Sequence, residues 1–240
     1  MRKIFTASIL MVSTLGLSIT TSANVFDGWS GEAALTGSKT TGNTDTTDVG
    51  LGLDLIKTAG EWRNKFQAAF DYGKNDGFKN KQRLVLGYQL ERDFNDRLFG
   101  YANADYFSDD FGAFEDGYFV GAGLGYKLVL PEPLGWNISG GAGYRSQTAQ
   151  GGLTTENELA LRGQSELDYQ FNEAVSLYNN SEILWSDSDT YIWNETGLTA
   201  QLMGNLAARA SFRIDNHSNV PVGREKTDTI TRIGVVYTLD

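Results

Sequence analysis

The sequence contains no cysteine, so neither a disulfide framework nor thiol chemistry is open to it. Its one histidine, His217, excludes a two-histidine metal site. Its three prolines, Pro131, Pro133 and Pro221, all fall in expected turns or loops. Hydrophobic residues make up only 40% of the chain, a low share for a protein with a solid core. After the N-terminal stretch there is no long apolar run, so no spanning helix is expected. Positive charge is scarce as well. Twenty Lys and Arg face thirty Asp and Glu, for a formal charge of −10. No basic patch stands out, which argues against nucleic acid as a partner.

What is present begins with an export signal. Arg2 and Lys3 form a charged n-region, Ile4 to Ile19 is mostly apolar, and Thr21-Ser22-Ala23 is a small-residue cleavage site. Residues 1–23 read as a signal peptide and residues 24–240 as one β-barrel domain of moderate size.

The mature chain alternates. In Tyr118–Ser146, Tyr118, Val120, Ala122, Leu124 and Tyr126 share one phase of a period-2 pattern, with Phe119, Gly121, Gly123 and Gly125 on the other. Trp136, Ile138, Ala142 and Tyr144 repeat the apolar phase after a turn at 131–135. Aromatics eight residues apart bracket each apolar face, or ~26 Å along a strand at ~3.3 Å per residue. An apolar band between aromatic rows, with a polar or glycine face behind it, suits a bilayer-spanning barrel. A soluble sandwich is the alternative.

Twelve strands are expected, at 28–37, 47–57, 61–73, 81–92, 97–107, 117–130, 136–146, 156–169, 174–185, 190–202, 205–215 and 228–239. Tight turns alternate with longer connections at 38–46, 74–80, 108–116, 147–155, 186–189 and 216–227, the outer-membrane pattern. The expected fold is all-β, a transmembrane antiparallel up-and-down β-barrel of about 12 strands.

The outward phase of six strands, for example Val49, Leu51, Leu53 and Leu55, or Leu84, Leu86, Tyr88 and Leu90, carries no charge. A Lys or Arg there would cost ~2–4 kcal/mol at mid-bilayer. The opposite phase is charged, and its candidate lumen-lining residues are Glu32, Asp54, Arg63, Lys65, Arg83, Glu158, Arg162, Glu166, Arg209, Arg213 and Arg232. Arg162 is flanked on its own strand face by Glu158 and Gln164–Glu166, and in a narrow barrel such opposed charges are expected to pair across the interior and fill it. Strands 97–107 and 174–185 fit less well, because Phe99, Tyr101, Tyr178 and Leu184 fall on the polar phase.

Several segments carry a family resemblance. They are Thr36-Gly37-Ser38 and Thr41-Gly42-Asn43-Thr44-Asp45, Arg92-Asp93-Phe94 with Arg97-Leu98-Phe99, Gly121–Tyr126, and Asn219-Val220-Pro221 with Lys226-Thr227-Asp228-Thr229. In this order and spacing the chain resembles the salt-induced outer membrane protein family (YdiY-like). The resemblance implies an outer-membrane location and an association with salt response, and brings no established activity or site.

Residue chemistry points away from catalysis. His217 is expected in a polar loop, with Ser218 adjacent but badly placed for a serine–histidine pair. The acidic loop Ser108–Asp116 could attract divalent ions but lacks an EF-hand order. No cofactor or metal is expected. The sequence therefore reads as a monomeric, non-enzymatic outer-membrane barrel with an envelope or osmotic-stress role. Its expected partners are outer-membrane lipid, lipopolysaccharide and, during biogenesis, the assembly machinery. Alternatives are a small ion or solute pore and a lipid-modifying enzyme centred on His217.

Overall fold

A computed structural model describes residues 28–43, 46–128, 131–152 and 154–239. The expected signal peptide lies outside the described residues. Twelve strands follow one another: β1 (Ser30–Thr41), β2 (Thr46–Ala59), β3 (Trp62–Asn75), β4 (Phe78–Asp93), β5 (Leu98–Asp109), β6 (Phe114–Leu128), β7 (Leu134–Ala149), β8 (Thr155–Asn172), β9 (Val175–Ser186), β10 (Thr190–Met203), β11 (Leu206–His217) and β12 (Thr227–Leu239). Each pairs antiparallel with its sequence neighbours, and β1 also pairs with β12 from Gly31↔Leu239 to Thr41↔Thr229. The sheet is a closed barrel, which leaves no strand edge open among the described strands.

The strands run further than the sequence suggests, chiefly at the end away from the chain termini. The expected long connection 74–80 is a two-residue hairpin turn, Asp76-Gly77, with φ of 50° and 83°. Two positive-φ residues match the twist of the flanking strands, and Asp-Gly is the usual pair for it. The contrast between long loops and short turns is correspondingly weaker than expected. At this rim the connection after β11 is the longest, with Val222 fully exposed.

The period-2 reading sets the two faces. Val49, Leu51, Val120, Leu124, Leu161 and Ile233 are exposed on the outside, together with Tyr118, Tyr126 and Tyr144. The outer face carries a polar patch near the middle of β9 and β10. There Asn179 Nδ2 donates to Thr196 Oγ1 at 2.7 Å, and Asn194 Nδ2 donates to Ser181 Oγ at 2.7 Å. Satisfying one another lowers the cost of facing an apolar surround.

The residues that fit the alternation badly have a structural role. Phe99, Tyr101, Phe119 and Leu184 are buried inside the barrel. Phe99 and Tyr101 on β5 lie opposite Gly125 and Gly123 on β6. A methyl group on Gly123 would come within 2.7 Å of the Tyr101 ring, and one on Gly121 within 2.6 Å of Phe119. The glycine face of β6 and β7 is thus the bed on which interior aromatic rings lie, a cross-strand pairing of ring and glycine. Tyr178 lies over Gly197 in the same way.

Candidate functional site

In a closed barrel, side chains from strands that are not neighbours can meet only through the interior. Several ion pairs do so. Lys65 on β3 sits 2.8 Å from Glu91 on β4 and 3.4 Å from Glu166 on β8. Arg162 on β8 reaches Asp105 on β5 at 2.7 Å and also pairs with Glu182 on β9. Its partners therefore come from other strands, as expected of charges that pair across the interior, and not from the flanking Glu158 and Glu166 on its own strand. The reason is the pleat: i±2 side chains stand parallel, whereas a long arginine reaches across the lumen.

Other members of the expected set are tied similarly. Arg209 pairs with Glu32 at 2.6 Å, skipping over β12. Asp54 is the cross-strand partner of Glu32 and accepts a hydrogen bond from Gln67. Arg63 pairs with Glu91 at 2.7 Å, and Arg232 with Asp71 at 3.2 Å. Arg83 and Arg213 converge on Asp215, at 4.0 and 2.8 Å, where Tyr191 also donates its phenol. The Arg213 guanidinium lies 4.2 Å from the Trp193 ring centroid. Glu158 accepts hydrogen bonds from Ser186 Oγ and the Ser188 amide, both at 2.9 Å.

The expected set omitted Asp105, Glu182, Glu195, Asp215, Arg145 and Asp189. Asp105, Arg145, Glu182, Glu195 and Asp215 all lie on the polar phase of strands the sequence already placed, so carrying that phase along the full length of each strand would have found them. Asp189 had no such signal, because it lies in the short connection between β9 and β10.

Asp189 also corrects the reading of His217. The histidine closes strand β11 instead of lying in a free loop, and Nδ1 is 2.6 Å from Asp189 Oδ2. Its ring stacks on Tyr191, with centroids 4.6 Å apart. The same carboxylate accepts from Arg145 Nη2 at 3.1 Å, Ser218 Oγ at 3.1 Å and the Asn219 amide at 3.0 Å. Burial alone would push the Asp189 pKa up. The His217 hydrogen bond and charge, the Asn219 amide and Arg145 outweigh it and hold the carboxyl well below the usual carboxylate range. Ser218 spends its hydroxyl on Asp189 and not on the imidazole, so the cluster is a strut between connections and lacks the serine–histidine contact of a hydrolase.

Two carboxylates of the acidic loop are likewise engaged. Asp109 caps the amides of Phe111 and Gly112 at 3.0 Å, and Asp110 pairs with Lys79 at 2.5 Å. No group of three or more His, Cys, Asp or Glu able to hold a metal occurs among the described residues.

Comparison with known proteins fits this geometry. The family model described as a protein of unknown function, DUF481, matches residues 33–239. The chain belongs to the DUF481 family. This is the family of the YdiY-like proteins that its sequence resembles. No curated protein matches the DUF481 chain. Among solved structures it is similar to the NanC porin, at a TM-score of 0.59 and 12% identity over 86% of this chain and 100% of that one. The COG4313 outer membrane channel from Pseudomonas putida F1 gives 0.56 and 12% over 88% and 95%. The KdgM porin in complex with disordered oligogalacturonate gives 0.50 and 12% over 87% and 99%. At such identities the likeness concerns the fold, a twelve-stranded closed barrel shared with outer-membrane porins.

Proposed function

We propose that this DUF481 protein is a monomeric outer-membrane barrel whose narrow interior passes ions and small polar solutes at a low rate, in an envelope or osmotic-stress role. It faces lipid and lipopolysaccharide on its apolar exterior and reaches the membrane through the barrel-assembly machinery. The observation that carries the reading is the set of ion pairs linking non-neighbouring strands, Lys65–Glu166 and Arg162–Asp105 above all. Such pairs would narrow the lumen while keeping its wall polar, which suits slow permeation better than free diffusion of large solutes. The family resemblance supports the location and the stress role, and the porin-like fold supports permeation.

Asp54 and Asp168 have no basic side chain within ion-pairing distance among the described residues, whereas the lumen arginines are all paired. This favours cations over anionic solutes. Purified protein in planar bilayers tests the proposal. Sub-nanosiemens steps with a cation preference are expected, rising more than proportionally with salt as screening loosens the pairs, on a Debye length of about 8 Å near physiological ionic strength. Steady conductance of several nanosiemens without ion preference, or none at any salt concentration, overturns it.

A further inference from the structure

Near the rim of the barrel at β1–β4 lies a buried carboxylate with no basic group of the described residues within ion-pairing distance. Asp48 on β2 is 5% exposed. Its Oδ2 accepts a hydrogen bond from Ser38 Oγ at 2.6 Å, and its Oδ1 has no partner among the described residues. The basic groups on this part of the wall have other carboxylates within reach: Lys81, the cross-strand partner of Gly73, lies 3.9 Å from Asp109, and Arg232 lies 3.2 Å from Asp71.

Three more oxygens share this condition. Thr40 Oγ1, Thr46 Oγ1 and Asn80 Oδ1 are buried and have no partner among the described residues. They are also gathered together. Thr40 and Ser38 on β1 are the cross-strand partners of Thr46 and Asp48 on β2, so all four stand on the same face of the hairpin. Thr46, Asp48 and Asn80 also pack over Gly73 on β3. A methyl group there would lie 2.9 Å from Asn80 Oδ1, 3.1 Å from Thr46 Oγ1 and 3.0 Å from Asp48 Cβ.

A buried carboxylate without a cation is costly, and each buried oxygen without a partner adds to that cost. Water could satisfy the hydroxyls and the amide but would bring no charge. A metal cation answers both needs. Its donors are oxygens only, which selects a hard ion, and a single carboxylate is too little charge for the six to eight oxygens calcium takes. We propose that Asp48, Thr46, Asn80 and Thr40 form a binding site for a monovalent alkali cation, with water completing the shell. The bound ion would tie β1, β2 and β4 together at this rim.

The test uses the full chain folded in detergent micelles and exchanged into choline chloride. Thermal unfolding is followed as sodium or potassium chloride replaces choline at constant ionic strength, so that general screening stays the same. The expected result is a rise in the unfolding midpoint that saturates with the alkali ion, as for a ligand that binds only the folded state. Sodium-23 line broadening should appear over the same range, and Asp48→Asn and Thr46→Val should abolish both effects. The broadening reads out binding without depending on variant stability. Equal midpoints in choline and alkali salts without broadening would mean that water or a proton fills the site, and would overturn the proposal. So would an increment that survives Asp48→Asn, or a response to calcium alone.

Discussion

Lys65 on β3 and Glu166 on β8 meet 3.4 Å apart although their strands are not neighbours in the sheet. The same ammonium lies 2.8 Å from Glu91, which is nearly inaccessible and retains Arg63 as a second partner at 2.7 Å. Lys65→Met should therefore cost little stability, on the order of 1 kcal/mol, because no buried charge is orphaned. It should also raise single-channel conductance by opening the passage between the walls. Conductance and unfolding temperature measured on one preparation check both halves.

Arg162 makes the contrasting case. Its side chain and that of Glu182 are each 9% exposed, and Asp105 lies on its other side at 2.7 Å. Arg162→Ala leaves two carboxylates without their cation, a loss of ~3–5 kcal/mol for buried pairs. The expected outcome is a markedly lower unfolding temperature in detergent. An unchanged temperature would show that water solvates these acids.

Stability should also depend on pH through Asp189. Its folded-state pKa is depressed below the unfolded value of about 3.9, so its contribution is fully present above that pH. The contribution is lost as the pH falls through the depressed folded value. Thermal unfolding from neutral pH down to the acid limit should show this fall, and Asp189→Asn should flatten it. His217→Ala removes both the hydrogen bond to Asp189 and the stack on Tyr191, so a loss of about 1–2 kcal/mol is expected, where a free loop residue would show none.

The two faces of the glycine-rich hairpin give a paired test. Gly125→Val would drive a side chain into the Phe99 ring, whereas Gly140 on the outer face has only the Arg162 carbonyl nearby, at 3.8 Å. Gly125→Val should lower the yield of heat-modifiable, folded protein, and Gly140→Val should not.

Orientation in the membrane can be read with single cysteines, since the chain has none of its own. Cysteine at Asp187 or Val222 should react with an impermeant reagent on intact cells, and cysteine at Asn95 or Glu173 should not. Reversed labelling would invert the barrel.

Much of this architecture is legible in the residue pattern. Alternation placed all twelve strands within a few residues, because one apolar and one polar face leave each strand a single workable register. Strand ends were less legible: nothing apolar marks where Thr40 or Asn75 stops pairing, and backbone hydrogen bonds alone extend the ladder there. Phe99 and Tyr101 looked like exceptions because single-strand periodicity cannot show the glycines opposite them on β6. Charge partners were the least visible. Arg162 meets residues from β5 and β9, and no local spacing records which strands face one another across a closed sheet. His217 failed for the same reason, its partner lying in a separate connection.

The seam between β1 and β12 ends in a latch. Asn43, just past β1, donates Nδ2 to the Glu225 carbonyl and accepts from the Glu225 amide, both at 2.8 Å, and its own amide donates to Asp228 at 2.5 Å. Thr41 and Thr229 share a hydroxyl hydrogen bond of 2.7 Å beside it. The first and last of the segments that mark the family are thus one contact, separated along the chain and joined at the rim. A growing or inserting chain would carry two bare strand edges until β12 arrives, and these few polar atoms would be the clasp that fixes which residue of β12 stops against which residue of β1.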